Sequence, residues 1–329
     1  MRPLPPESSY RWGVFTRKEA HEAGWTRQRL FEAARRGDLV RVRRGVYATP
    51  GDGDDHERER LDHLRTATGA VLTNPGVTLS HSSAAIAWTL PLLDVPQRPC
   101  VIVPRNHTRI EGVHSHRSQL PSSQQTVVQR LLTTTVARTC LDVTREHGLL
   151  AGLVTTEAAL YRGKVTPAEL KRVQDSFRGR AALGAAREVL ELASPLSESP
   201  LETVSRFALF EIPYQPRQQV RLVGRFGRRL GRVDFYWDEI GLIGEADGAL
   251  KYELPSADDV AGRRFTPQQN PLLEEKEREQ RMLDEGMRFV RWDWSTAQDP
   301  DRLRARILRA ISETRRLRQS GVGFTRQPG

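Results

Sequence analysis

Three carboxylates, Asp234, Glu245 and Asp247, fall within the single stretch GRVDFYWDEIGLIGEADG. Their spacing puts them at the ends of two strand-like runs. Acidic side chains at the ends of adjacent strands can hold a hard divalent cation such as Mg2+, which takes carboxylate and water oxygens. Alternation supports the strands: Val233, Phe235 and Trp237 share one face and Asp234 takes the other. IGLIGEADG reads as a further strand, with Glu245 and Asp247 on one face. Glu245 directly follows an apolar run, where an unpaired carboxylate is costly. Metal coordination is one remedy, and a salt bridge to Arg232 or Lys251 is the other. Without a cation, three gathered carboxylates require raised pKa values or compensating arginines, with Arg232, Arg263 and Arg264 as neighbours or nucleic-acid contacts.

The flanking elements must position these groups. SPLSESP reads as a linker, and LETVSRFALFE as a helix beginning near Pro200, with Glu202 in its first turn and Leu201, Val204 and Ala208 on its buried face. QQVRLVGRFGRRLGRVDFYW reads as a hairpin. KEREQRMLDEGMRFVRWDW gives an amphipathic helix ending near Gly286, then the strand FVRW.

Helix, hairpin, acidic strand, helix and strand in that order resemble the very short patch repair-like and DUF559-like branch of the PD-(D/E)XK, restriction-endonuclease-like superfamily, over roughly residues 196–311. The resemblance implies Mg2+ or Mn2+ held by Asp234 and Glu245, with Glu202 and Asp247 as further ligands. It also implies metal-assisted hydrolysis of a DNA phosphodiester. The chain departs from the superfamily pattern where a lysine is expected after Glu245, since Asp247 stands there. In the catalytic reading Lys251 takes over by polarising the water, or Gln280 on the following helix orients it.

The amino-terminal end carries a different pattern. VFTRKEAHEAG, residues 14–24, reads as a short helix capped by Thr16, with Glu19 completing a capping box and Gly24 ending it. Thr26 caps a second helix, TRQRLFEAARRG, with Leu30, Ala33 and Ala34 as its buried stripe and Gly37 as its stop. LVRVRRGVYA then alternates, sending Val40 and Val42 inward and Arg41 and Arg43 outward, with Arg44 and Gly45 at the bend. Helix, tight turn, helix and basic hairpin make a winged helix-turn-helix. Its second helix suits a major groove, with Arg27, Gln28 and Arg29 near the leading end. Arg41, Arg43 and Arg44 on the wing suit phosphate or the minor groove. Residues 1–50 hold eleven basic and five acidic side chains, a local net of +6. A helical cap with solvated arginines, or a protein-docking module, is the alternative.

This segment, TRKEAHEAGWTRQRLFEAARRGDLVRVRRGVYA, with weaker support from SHSSAAIAWTLPL, is similar to the winged-helix domains of AbiEi-like antitoxins, transcriptional repressors of type IV toxin–antitoxin pairs. That resemblance implies a non-catalytic DNA-binding regulator with a cognate toxin.

Between the ends, GDGDDHERER reads as a polar break closing the first domain, LDHLRTATGAV as a helix, and SHSSAAIAWTLPLL as another starting near Ser80 or Ser82. CVIVP and GVHSHRS are short strands joined by the basic turn RNHTR. TVVQRLLTTTVARTCLDVTREHG reads as helical. Helices follow over 151–162, 167–178 and 181–192, with Pro167 as a first-turn residue. His81, His107, His114 and His116 match neither a finger spacing nor a helical His-Glu motif, so no zinc site is expected. His114 and His116 share a strand face suited to surface or phosphate contacts. Cys100 and Cys140 sit among apolar residues, as buried free thiols do. This region reads as linking and orienting the two ends.

With 329 residues, 38% of them hydrophobic, the chain can bury ordinary cores in two or three domains. A formal net charge of +10 favours double-stranded DNA over an acidic small molecule as partner. No apolar run reaches membrane-spanning length, the first residues lack the apolar stretch of a signal peptide, and the cysteine usage fits the cytoplasm. The expected class is α+β multidomain: a winged helix-turn-helix at 1–54, a mixed, mainly helical middle at 55–195, an α/β endonuclease-like domain at 196–315 and a tail at 316–329. The expected function is Mg2+-dependent DNA hydrolysis, with a non-catalytic regulator as the alternative and an interaction protein third. A homodimer, a cognate toxin, or a defence or repair partner would complete either of the first two.

Overall fold

The computed structural model describes residues 3–51, 53–106, 109–177, 183–247 and 271–320. The chain forms two compact units, Met1–Pro195 and Leu196–Gly329.

The first unit opens with a winged helix. Strand β1 (Val14–Thr16), helices α1 (Arg17–Glu22) and α2 (Arg27–Arg36), and strands β2 (Val40–Arg43) and β3 (Val46–Ala48) follow in order. The strands make an antiparallel sheet ordered β1-β3-β2. Thr16 caps α1 in a full capping box with Glu19, Thr26 caps α2, and Gly37 closes α2 at φ 83°. Val14 to Thr16 are strand rather than the first helical turn expected. The N-cap needs extended backbone at Thr16, and Val14 and Phe15 gain burial by pairing with β3. Val40 is 43% exposed rather than core-facing, whereas Val46 and Ala48 on β3 fill that core.

The expected polar break does not run to its end. Asp54 caps a long helix, α3 (Asp55–Thr73), so HERER is helical. Acidic Asp55 and Glu57 in the first turn suit the positive end of the helix dipole. Beyond it, strands β4 (Thr78–Leu79), β5 (Cys100–Val103), β6 (His114–Arg117), β7 (Gln125–Val128) and β8 (Leu131–Thr134) form a sheet ordered β6-β5-β4-β8-β7. Helix α4 (His81–Ala87) leads from β4, and α5 (Val136–His147), α6 (Leu149–Tyr161), α7 (Pro167–Ser176) and α8 (Leu183–Leu192) complete the unit.

The strands expected at CVIVP and GVHSHRS form as β5 and β6 and pair in parallel, with Cys100 opposite His114 and Ile102 opposite His116. One expectation changes here. TVVQRLLTT, expected helical, is the antiparallel β7–β8 hairpin. Its turn residues Gln129 and Arg130 both have positive φ, 48° and 61°, a geometry that Asn-Gly would have announced and Gln-Arg hides.

In the second unit, α9 (Pro200–Leu209) precedes β9 (Arg217–Val223), β10 (Arg229–Trp237), β11 (Leu242–Ala246) and β12 (Arg288–Trp292). Sheet order is β12-β11-β10-β9, with β11 and β12 parallel and the rest antiparallel. Helices Pro271–Asp284 and Pro300–Gln319 accompany it. Val233, Phe235 and Trp237 are buried, as the alternation required. Gly244 is fixed by close approach: a Cβ there would sit 2.8 Å from the Trp292 ring and 2.9 Å from that of Trp237. The chain is therefore an α+β multidomain protein, with a winged helix first, a mainly helical middle and a mixed α/β sheet last. Among the described residues no helix is long and apolar enough to cross a membrane.

Candidate functional site

The leading end of α2 carries Arg27, Gln28 and Arg29, all exposed. Leu30 and Ala33 are buried beneath them, which fixes the helix and turns its polar side outward. Gln28 donates through Nε2 to Glu32 at 3.0 Å. Phe31, on the same helix, is 67% exposed. An aromatic ring outside the Leu30–Ala33 stripe was the available signal, and sequence reasoning passed over it. On the wing, Arg41 and Arg44 are exposed, whereas Arg43 is half-buried with its methylenes lying where a Cβ on Gly69 of α3 would stand. Arg43 is thus held against α3, and Arg41 and Arg44 project from the hairpin.

In the second unit the structure draws Glu202, Asp234 and Glu245 into one electrostatic neighbourhood. Burial raises the Glu202 carboxyl pKa, and the charge of Asp234 adds to the rise. Burial also raises Glu245; Asp234 and Asp247 push the same way, and Arg278 opposes them. Every one of these groups has a protein partner. Glu202 Oε1 accepts from Ser199 Oγ at 2.9 Å, and its Oε2 from Glu198 N at 3.0 Å and Gln219 Nε2 at 2.8 Å. It closes the N-terminus of its own helix. Asp234 Oδ2 accepts from Ala246 N at 3.1 Å. Glu245 pairs with Arg278 at 3.2 Å, and Asp247 with Arg291 at 3.4 Å.

The compensating arginines are thus Arg278 and Arg291. Arg232 pairs with Glu198 at 2.7 Å instead. Arg263, Arg264 and Lys251 lie outside the described residues. Gln280 is exposed and donates to Asp284 at 2.8 Å, so it is not brought to the carboxylates. Gln219 is the residue sequence reasoning missed. It sits on β9 at φ 51°, and its Nε2 also reaches Asp234 Oδ1 at 3.4 Å. Its Oε1 is buried without a hydrogen-bond partner. Oxygen donors of this kind suit Mg2+. Among the described residues, however, the carboxylates are not gathered into one compact set of ligand atoms.

A compact set does occur in the first unit. Cys100, His114, His116 and Glu146 present ligand atoms that all lie within 4.8 Å of one another. His114 Nδ1 is 2.9 Å from Glu146 Oε1, and His116 Nε2 is 3.2 Å from Glu146 Oε2. His81 stacks on His116 with ring centroids 3.7 Å apart. His114 and His116 stand together as expected, ring centroids 4.2 Å apart, but they face Glu146 rather than surface contacts alone: parallel pairing of β5 with β6 brings Cys100 and His114 to one register position, and α5 supplies Glu146. His107 lies outside the described residues.

The amino-terminal fold places the chain's first segment in a recognisable class of winged-helix modules. Residues 4–50 match the family described as transcriptional regulator, AbiEi antitoxin. Two relatives span nearly the whole chain: the uncharacterized proteins MT2308 and Rv2248 of Mycobacterium tuberculosis, strains CDC 1551 / Oshkosh and ATCC 25618 / H37Rv. Each is 26% identical over 295 residues, covering 88% of this chain and 98% of the relative. Among solved structures, that of the RV2827C protein from Mycobacterium tuberculosis is similar at a TM-score of 0.36 and 16% identity, covering 68% of this chain and 90% of that one. The likeness is too distant to fix a shared fold. The chain carries an AbiEi-antitoxin-like winged helix at its amino end.

Proposed function

We propose that this protein is a DNA-binding transcriptional regulator of the antitoxin type that docks α2 and the β2–β3 wing on duplex DNA. The observation that carries this reading is the exposed set Arg27, Arg29, Arg41 and Arg44 on a winged helix within the segment matching the regulator family. Arg27 and Arg29 stand where a recognition helix meets base edges, and Arg41 and Arg44 where a wing meets phosphate. Phe31 adds an apolar surface suited to a thymine methyl group.

Duplex affinity measured by fluorescence anisotropy against salt tests it. Wild type should bind with a steep negative slope of log K against log salt. Replacing all four arginines by alanine should flatten that slope by about one unit for each phosphate left without its arginine. Phe31→Ala should change the ranking of sequences more than the slope. Wild-type binding without salt dependence would overturn the proposal.

A second reading, Mg2+-dependent DNA hydrolysis in the second unit, is favoured by the buried, unpartnered Gln219 Oε1 on the amide whose nitrogen contacts Glu202 and Asp234. Asp234, with Glu202 and Glu245, would hold the cation, which would supply Lewis-acid activation of water. Wild type and Glu245→Ala are incubated with plasmid under Mg2+, Mn2+ and chelator. Metal-dependent cutting lost in the variant establishes this reading. Retained binding without cutting leaves the regulator alone.

A further inference from the structure

We propose that Cys100, His114, His116 and Glu146 form a binding site for a d-block divalent cation, zinc in the first instance, inside the amino-terminal unit. The site is independent of the carboxylate end and of the DNA-binding reading.

The donor set argues for the cation class. Two imidazole nitrogens, a thiol sulfur and one carboxylate oxygen form the borderline-soft mixture that zinc selects, whereas Mg2+ takes oxygen. The distances suit it as well. With zinc–sulfur near 2.3 Å and zinc–nitrogen or –oxygen near 2.0–2.2 Å, the edges of a tetrahedron are roughly 3.3–3.7 Å. The present separations bracket that range: 2.9 Å for His114 to Glu146, 3.2 Å for His116 to Glu146, and 3.8 Å for Cys100 Sγ to either Glu146 oxygen. His116 Nε2 is buried and lies 3.2 Å from Glu146 Oε2, outside good hydrogen-bond geometry. As the Nδ1–H tautomer, this ring offers the Nε2 lone pair to an ion lying between the side chains.

The surrounding groups hold the ligands in place, as metal sites require. Ser83 Oγ accepts from Cys100 N at 2.8 Å and fixes the strand bearing the thiol. His81, buried, lies flat on His116 and contacts Ser80 Oγ through Nδ1 at 2.9 Å. It holds φ 48°, a left-handed conformation costly for a histidine and maintained here at the start of α4. Its Nε2 stands 3.6 Å from Glu146 Oε2, which makes it the positioning residue of the set. Arg138 and Arg145 border the same cavity of about 550 Å³, and both are directed to Asp142, at 2.7 and 3.6 Å. The His114 side chain is 55% exposed, giving an ion a route in from solvent. On binding, the Cys100 S–H bond breaks, its proton passes to solvent, and the thiolate becomes the sulfur ligand.

Cobalt substitution of the untagged full-length chain tests the proposal. Wild type should retain about one equivalent of Co2+ after dialysis, with tetrahedral d–d bands and a thiolate-to-cobalt charge-transfer band. Cys100→Ser should lose the charge-transfer band, and His114→Ala/His116→Ala should lose the bound ion. Zn2+ should displace Co2+ and bleach the spectrum, while His56→Ala, on the exposed first turn of α3, behaves as wild type. Circular dichroism reports folding. If Cys100→Ser does not fold, His114→Ala at the exposed edge carries the test through loss of affinity of about tenfold or more. Absence of tight Co2+ in wild type overturns the proposal, as does a spectrum indifferent to the Cys100 and histidine-ligand substitutions or abolished by His56→Ala.

Discussion

The acidic end of the carboxy-terminal sheet and the mixed cluster of the amino-terminal unit each assemble titratable side chains from separate elements, yet they treat charge oppositely. At the acidic end each carboxylate has its own local partner: a helix terminus for Glu202, a backbone amide for Asp234, Arg278 for Glu245 and Arg291 for Asp247. In the mixed cluster a single carboxylate, Glu146, faces His81, His114, His116 and the Cys100 thiol. Carboxylates that stand close in sequence attract neutralising partners as the chain folds, so their density is weak evidence of a ligand. Nitrogen, sulfur and oxygen donors converging from distant elements are stronger evidence, because packing alone has little need of that mixture.

Acidification should separate the two regions, with the largest effect in the amino-terminal one. Burial pushes His63 down to about 4, with its ring between Pro96 O at 3.0 Å and Ser83 Oγ at 2.9 Å. The unfolded chain therefore takes a proton at this residue before the folded one does. Stability from the neutral ring is complete above about pH 6.5 and is lost as pH falls toward 4, by up to about 3 kcal/mol. Glu202 and Glu245 have raised pKa values, so the opposite sign applies. Their charged forms cost stability as pH rises through the folded pKa, and acidification relieves that cost. Hydrogen exchange on the whole chain should show α3 and β5 losing protection between pH 7 and 5 while β10 and β11 hold or gain it. His63→Gln should flatten the first slope only. Parallel slopes in both regions would erase the contrast.

The contrast also marks what the sequence made legible. Caps and alternation are local, so Thr16, Thr26, Gly37 and the buried run Val233, Phe235, Trp237 could be read directly. The resemblance makes Glu202 a metal ligand, although Ser199 stands three residues before it, the spacing of a helix cap. Gln219 was invisible because only the pairing of β9 with β10 and an unusual positive φ deliver it to Asp234. The mixed cluster was invisible for the same reason at longer range. Its donors stand in β5, β6 and α5, and nothing in PCVIV or GVHSHRS announces that these strands run parallel with Cys100 opposite His114. The β7–β8 hairpin escaped because its turn has no glycine or asparagine.

A smaller effect tests whether the carboxylate end is held by packing rather than by its charges. Both tryptophan rings beside Gly244 are tethered, Trp292 through Nε1 to Ser205 Oγ at 2.7 Å and Trp237 through Nε1 to Tyr214 O at 2.8 Å. Neither can retreat from an added methyl group without losing a hydrogen bond. Gly244→Ala should therefore cost about 2 kcal/mol, read as a lower urea midpoint for the carboxy-terminal unit, with the amino-terminal cluster's cobalt spectrum unchanged. An unchanged midpoint would mean that the sheet yields more easily than this packing allows.

The smallest effect bears on Glu202 itself, where the two readings of the acidic end divide. As a helix-terminal group it accepts from Ser199 Oγ and Glu198 N, and a glutamine carbonyl can take one of these roles without the charge. Glu202→Ala should cost about 1 kcal/mol, and Glu202→Gln should recover part of it. Burial already disfavours the charged form, so removing that charge carries a compensating gain. If Glu202 instead holds a cation for hydrolysis, glutamine and alanine should both abolish metal-dependent cutting, whatever their stability. Thermal melts beside plasmid cleavage in Mn2+ separate the cases. Recovery of stability by glutamine with no cutting in any form assigns Glu202 to its helix, and the amino-terminal cluster is then the better place to look for a bound ion.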